Sequence, residues 1–324
     1  MKYTENALNI LALKTFKGIG RAWIVKHIKG NESVEEMVTL INQKSKESEE
    51  ISVDDFESVK QQIAAKLEKI EESLDGVVAI GDNDFPQYRG NVKESDRPVY
   101  LFYKGNLDLL SLDNKNITVI GLLNPDEEIV EREKKIVAEL VEREATIVSG
   151  LAFGCDSVAH IQALEGGKTV AILPSPIHNI LPARNKGLAF QIVEEGGLLI
   201  SEYYEDFSNS RELTTRYVER DRLQALFCDT IILIASYAQD SGERWNIQEK
   251  KLDSGARLAM GDAKKYGIPR YVMYNAQTDE QNPMFDLNRQ LLEEGNTKRL
   301  TKKSIDKMIE NITDKNNYQQ TSLF

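Results

Sequence analysis

Along the second half of the chain, apolar residues come in short, mostly continuous runs separated by amphipathic stretches, the pattern of buried strands alternating with helices. The runs fall at residues 117–120, 146–148, 169–173, 198–201, 230–235 and 271–274. Helical spacing is predicted between them over 126–143, 156–164, 186–194, 219–225 and 256–266. This alternation predicts an α/β, Rossmann-like, doubly wound and mostly parallel sheet, with its ligand crevice at the carboxyl ends of the strands. Two further strand-like runs, 77–82 and 98–105, precede it, joined by a turn-rich segment around Asn83-Asp84-Phe85-Pro86.

The first part of the chain has a different period. Ala7, Leu8, Ile10, Leu11 and Leu13 form one helical face, and Trp23, Ile24, Val25 and Ile28 a second. Phe16-Lys17-Gly18-Ile19-Gly20 lies between them. Helix, Gly-x-Gly turn, helix is the outline of a small SAM or helix-hairpin-helix-like domain, whose turn amides can bind a DNA phosphate without reading sequence. The plainer reading is a packing domain whose glycines only make the turn. Two more helices are predicted over 33–40 and 53–74, with a polar loop at 42–50 between them. The expected organisation is therefore a helical domain at 1–75, an extended Rossmann-like domain at 76–312 and a flexible polar tail at 313–324. Within the second, 239–253 reads as a surface loop, 276–297 as an irregular link and 302–312 as a closing helix.

The centre of the pattern is the stretch 145–175: strand, glycine-punctuated turn, helix, Gly166-Gly167, strand. This is a βαβ unit with a right-handed connection. Its turn leaves backbone N–H groups uncovered beside a helix N-terminus, where a phosphate fits. Ser149, Gly150, Ala152 and Gly154 are the candidate cradle, with Lys168 after the glycine pair as a further cation. Asp156 and His160, spaced i and i+4, share a helix face. They fit a brace for the loop better than an acid–base pair. Arg216, Arg220 and Arg222 are the strongest basic feature, since planar guanidiniums suit phosphates and stack on bases. The bland reading of these three is an exposed face paired with Glu212, Glu219 and Asp221. His178 and Asn179 are placed on the pocket wall, and His27 in the helical domain.

Composition changes this picture only in part. With a net charge of −11 the chain does not coat nucleic acid or anionic membrane indiscriminately, but one local basic groove is compatible with an acidic body. The cysteines, Cys155 and Cys228, sit in apolar contexts and read as buried thiols of a reducing compartment. No apolar run approaches the roughly 18 residues of a membrane span, and no signal-peptide core is visible, so a cytoplasmic protein is expected. Histidine and cysteine spacings fit no metal site, and neither a Walker lysine motif nor another cofactor signature is present.

Ser149-Gly150-Leu151-Ala152-Phe153-Gly154-Cys155-Asp156, followed by Ala159-His160, resembles the SGLAxGID…AH pattern of the DNA-processing protein A (DprA, or Smf) family, with Cys155 where isoleucine is usual. Gly81 to Pro86, Arg97 to Phe102 and Lys104-Gly105-Asn106 resemble the segments by which that family leads into its Rossmann domain. Leu198 to Tyr203, Arg220-Asp221-Arg222-Leu223 and Ser254 to Ala259 also fall where the family has related segments, and Leu8 to Ile28 is similar to its N-terminal helical domain. Where the family usually has Gly-Ser-Arg after its first strand, this chain has Gly121-Leu122-Leu123-Asn124 and lacks that arginine. The resemblance implies a non-catalytic, homodimeric protein that binds single-stranded DNA and loads a RecA-type recombinase during DNA uptake. It adds Ser254 and Gly255 to the DNA-contacting residues. The tail Gln320-Thr321-Ser322-Leu323-Phe324 resembles the peptide by which bacterial proteins dock on the DNA polymerase sliding clamp, with Gln320, Leu323 and Phe324 as anchors. Two readings from other classes remain open on the residues alone. One is a sensor or hydrolase of a nucleotide-derived ligand, the latter using Asp156 and Glu202. The other is an adaptor whose partners are proteins.

Overall fold

Four helices open the chain: α1 (Glu5–Leu13), α2 (Arg21–His27), α3 (Val34–Lys44) and α4 (Val53–Glu68). The computed structural model describes residues 2–44, 50–248, 252 and 255–321, with side chains to residue 314. Helix α1 is capped by Thr4, whose hydroxyl accepts the Ala7 amide, and every residue from Ala7 to Leu13 is buried. A helix apolar all round belongs at the centre of its bundle. Helix α4 starts from a full capping box in which Ser52 and Asp55 satisfy each other's backbone N–H.

Gly76–Ala79 forms β1 and Tyr100–Gly105 forms β2. Strands β3 (Lys115–Ile120), β4 (Ala145–Ser149), β5 (Lys168–Leu173) and β6 (Leu198–Ser201) then alternate with α5 (Glu127–Val141), α6 (Cys155–Ala163) and α7 (Lys186–Glu194). Helix α8 (Ser210–Leu226) leads to β7 (Thr230–Leu233), and α9 (Ser241–Arg244) and α10 (Ala256–Tyr266) to β8 (Arg270–Val272). Helix α11 (Asp286–Glu293), β9 (Thr297–Arg299) and α12 (Lys302–Thr321) complete the chain. One nine-stranded sheet results, in the order β1-β2-β6-β5-β4-β3-β7-β8-β9. Strand β2 pairs antiparallel with both β1 and β6, and all other neighbours are parallel. The chain winds outward from β3 to one side and then returns to β7 on the other, the doubly wound arrangement.

Helices α5, α6 and α12 cover one face of the central strands, burying Ile129, Val137, Ala159, Ile305 and Met308. Helices α8, α10 and α11 cover the other, through Leu223, Leu226, Met260 and Leu287. The helical bundle is not walled off from the sheet. A single apolar cluster runs from Ile10, Leu13 and Phe56 through Phe102 of β2 to Leu173 of β5 and Ile192 of α7. None of the described helices is long and apolar enough to cross a membrane.

Three segments differ from expectation. Helix α8 begins at Ser210, nine residues earlier than its apolar pattern suggests. Asn209 caps it by accepting the Glu212 amide, and the Thr214 and Thr215 hydroxyls bond to carbonyls one turn back, so a polar segment is helical without an apolar stripe. The link at 276–297 contains α11, anchored by Leu287 and Leu291, and leads into β9, too short to register as a strand. The tail expected to be flexible from residue 313 continues α12 to Thr321. Ile305, Met308 and Ile312 anchor the helix, and no glycine or proline follows to stop it. Leu323 and Phe324 lie outside the described residues.

Candidate nucleic-acid interface

The turn between β4 and α6 brings six residues together. The Arg220 guanidinium, from α8, reaches across the carboxyl end of β4 and lies on Gly150, where a Cβ would stand 1.2 Å from its Nη1. Nη1 is 3.8 Å from Asp156 Oδ2 and Nε is 3.2 Å from Asp221 Oδ1. Gly255, left-handed at φ 79° where it caps α10, lets the chain pass the same carboxylate: a Cβ there would fall 2.8 Å from Asp221 Oδ2. The ring of Tyr217 lies 5.7 Å from the guanidinium carbon. Arg220 is only 5% exposed, and its Nε and Nη1 make no hydrogen bond of good geometry.

The turn itself is braced from within. The Asp156 carboxylate accepts the amides of Gly150 (3.1 Å) and Ala152 (3.3 Å). Burial pushes its carboxyl above the usual range, while Arg220 and the two amides pull it back. Two of the amides expected to hold phosphate are therefore bonded to the protein's own aspartate. Ser149 is likewise internal: its hydroxyl donates to the Val119 carbonyl at 2.7 Å. Gly154 adopts φ 70° and packs on the β3–α5 turn, where a Cβ would meet the Leu122 carbonyl oxygen at 2.2 Å. The segment Gly121-Leu122-Leu123 thus supports the turn, with the Leu122 carbonyl accepting the Cys155 amide. The rim carries one large exposed apolar side chain, Phe153.

Other expected residues are placed elsewhere. His160 and Asp156 do not bond to each other; the His160 ring is fully buried against Thr169, Nδ1 to Oγ1 2.6 Å. Burial and the neighbouring Arg220 push its pKa down to about 3. Lys168 stands at the start of β5, the opposite edge of the sheet from the crevice, and its ammonium donates to the Glu195 carbonyl. Arg216 bonds to Glu212 and to the Glu205 carbonyl and stacks over Tyr203. Arg222 holds Glu202 with two bonds of 2.7 and 2.6 Å and donates to the Asp96 carbonyl at 2.9 Å. The pairings with Glu212, Asp221 and Glu219 expected for an exposed face do form, but all three arginines are buried. Glu202, so paired, is not poised for hydrolytic chemistry with Asp156. His178 and Asn179 both face Asp206, away from the cluster. His27 stacks on Trp23. Ser254 lies outside the described residues. Among those described, no group of three or more His, Cys, Asp or Glu is placed to hold a metal ion.

One contributor had no sequence signal, and a second was expected only as the partner of an exposed face. Asn185 donates to the Leu151 and Ala152 carbonyls and to the Ser157 hydroxyl, tying the turn to the start of α7. Asp221, adjacent to Arg220 in sequence, orients its guanidinium together with Asp156.

The sheet, with an arginine set on the glycine turn at its carboxyl ends, defines a Rossmann-like α/β fold. Residues 76–310 match the family model of DNA recombination-mediator protein A, and the chain belongs to that family. It is 37% identical over 139 residues to DNA processing protein DprA of Streptococcus pneumoniae, covering 43% of this chain and 47% of that protein. It is 32% identical over 127 residues to protein Smf of Borreliella burgdorferi, covering 39% of each. The chain thus spans less than half the length of these curated relatives. An X-ray structure of the S. pneumoniae protein superposes with TM-score 0.66 at 26% identity, over 93% of this chain and 96% of that one. DNA processing protein A from Helicobacter pylori, a structure concerned with its single-stranded DNA binding mode, superposes with TM-score 0.54 at 25% identity, over 70% of this chain and 98% of that one.

Proposed function

We propose that the chain binds single-stranded DNA along the crevice at the carboxyl ends of β3–β6 and acts without catalysis, protecting the strand and passing it to a RecA-type recombinase as a homodimer. The observation that carries this reading is Arg220. It is a permanent cation held on the Gly150 backbone between two carboxylates, with donor groups unfilled, at the one turn whose sequence matches the family pattern. The guanidinium is buried, so a phosphate at the rim would meet its charge across the turn and would bond to it only on an outward swing of the side chain. Arg216 and Arg222, bonded internally, shape the wall and leave the contact to Arg220. Binding of this kind is sequence-tolerant and weakens with salt.

Filter-binding titration of a single-stranded oligonucleotide at two salt concentrations tests the reading. Wild type should bind with a salt-dependent affinity, and Arg220→Lys, which keeps the charge but loses the fork, should bind more weakly. Absence of binding, together with thermal stabilisation by free nucleotides, would instead favour a nucleotide sensor. The C-terminal residues 320–324 are proposed to dock on the sliding clamp through Gln320, Leu323 and Phe324. Clamp pull-down by the full chain, abolished on truncation before Gln320, is the expected result.

A further inference from the structure

In a chain of net charge −11, residues 14–29 hold Lys14, Lys17, Arg21, Lys26 and Lys29 and no carboxylate. This is the α1–α2 hairpin. The four lysines are exposed, and Gly18 and Gly20 in the turn have nothing packed within 4 Å of where a side chain would begin. So basic a segment in so acidic a protein is not needed for packing, because the hairpin's buried face is made by Leu11, Leu13, Ile19, Ile24 and Ile28.

Arg21 fixes where this surface lies. Its Nη2 is 2.5 Å from Glu219 Oε2 and its Nη1 is 3.9 Å from Glu202 Oε2, while Nε donates to the Ser95 carbonyl at 2.9 Å. Glu219 immediately precedes Arg220 on α8. The hairpin is therefore clamped to the wall of the crevice through the residue next to the proposed phosphate contact. Helix α2 extends on the order of 10 Å from that clamp past Lys26 to its end, with Lys29 just beyond it.

We infer that the α1–α2 hairpin is a second binding surface for single-stranded DNA, on which Lys14, Lys17, Lys26 and Lys29 take the phosphodiester backbone where it leaves the crevice. The inference rests on the single-strand reading above. It explains how an acidic protein whose crevice arginines are buried gathers enough counterion-releasing charge to retain a strand. The interactions are charge–phosphate and carry no base readout.

The test compares oligonucleotides of about 6 nucleotides, near the lower end of the roughly 4–16-nucleotide footprints usual for single-strand sites, and about 30, beyond their upper end. In the variant Lys14→Gln, Lys17→Gln, Lys26→Gln and Lys29→Gln, affinity for the long oligonucleotide should fall and the log K against log salt slope should flatten by about 0.7 for each phosphate no longer neutralised. Affinity for the short one should not change. Arginine at the same four positions should restore the long-oligonucleotide affinity. Glutamine at the exposed Lys135, Lys302, Lys303 and Lys307 makes the same charge change elsewhere and should have no such length-dependent effect. Equal binding by the hairpin variant and wild type at both lengths, or equal weakening in hairpin and control variants, would overturn the inference and leave the crevice reading intact. Failure of wild type to bind either oligonucleotide would instead remove the crevice reading.

Discussion

The guanidinium of Arg220 and the α-carbon of Gly150 are in direct contact: a methyl group at Gly150 would stand 1.2 Å from Nη1. Neither residue can change without the other. Gly150→Ala would push the guanidinium away from Asp156 and out of the crevice wall, with an overpacking cost of about 1–3 kcal/mol. Single-strand affinity should fall by a factor similar to that of Arg220→Lys, and the double variant should be little worse than either single one. Additive effects in that double-mutant cycle would mean that the two residues act separately.

Arg222 leads to the opposite expectation. Its fork is closed on Glu202 and on the Asp96 carbonyl, and Glu202 sustains its charge. Arg222→Ala leaves Glu202 buried without that partner, a loss of about 3–5 kcal/mol. In a chain of this size that lowers the melting temperature by on the order of 10 °C. The salt slope of DNA binding, measured where the variant is still folded, should stay at the wild-type value. A flattened slope would return Arg222 to the DNA-contacting set.

The strands and most helices were legible because a strand covered on both faces is apolar nearly throughout, as at Leu198 to Ile200 and, Thr118 apart, Ile117 to Ile120. The position of the turn was legible too, since Gly150 and Gly154 each sit where a Cβ would collide with a neighbouring group. What each side chain does there was not. Sequence ranks arginines by charge, but whether a guanidinium is available depends on carboxylates brought from other elements, such as Glu202 to Arg222 and Asp156 to Arg220. Lys168 follows the same turn in sequence, but α6 lies between them and carries the chain back along the sheet, so Lys168 emerges at the amino end of β5, away from the crevice. Asn185 is joined to the turn only by tertiary folding.

Glu133 is a fully buried carboxyl on α5 whose oxygens meet only the weak Cys155 thiol donor and which lies near Asp156. Burial raises its pKa well above the ordinary value. The unfolded chain releases this proton near pH 4.3 while the folded protein keeps it, so rising pH removes stability between the two pKa values. Glu133→Gln preserves the shape and abolishes the titration. Urea unfolding should show the variant gaining on wild type as pH rises from 5 to 8. Parallel pH profiles would show that Glu133 ionises without cost.

His160 should limit stability on the acid side. The Thr169 hydroxyl donates to the Ile147 carbonyl at 2.8 Å, so it must accept from His160, which places the ring proton on Nδ1. Nε2 is buried without a partner, and protonating it would create an unsatisfied cation beside Arg220. The folded ring therefore stays neutral to about pH 3, whereas the unfolded ring takes up a proton near pH 6.5. Stability is intact above that upper value and falls as pH drops toward the lower one, by up to about 1.4 kcal/mol per unit. His160→Gln should flatten the decline between pH 6.5 and pH 4 by one proton while lowering stability at neutral pH. In wild type, the ring resonances of His160 should remain those of the Nδ1–H tautomer down to pH 4. A midpoint near pH 6.5 would show that the ring is open to solvent and restore it as a candidate for proton transfer at the crevice.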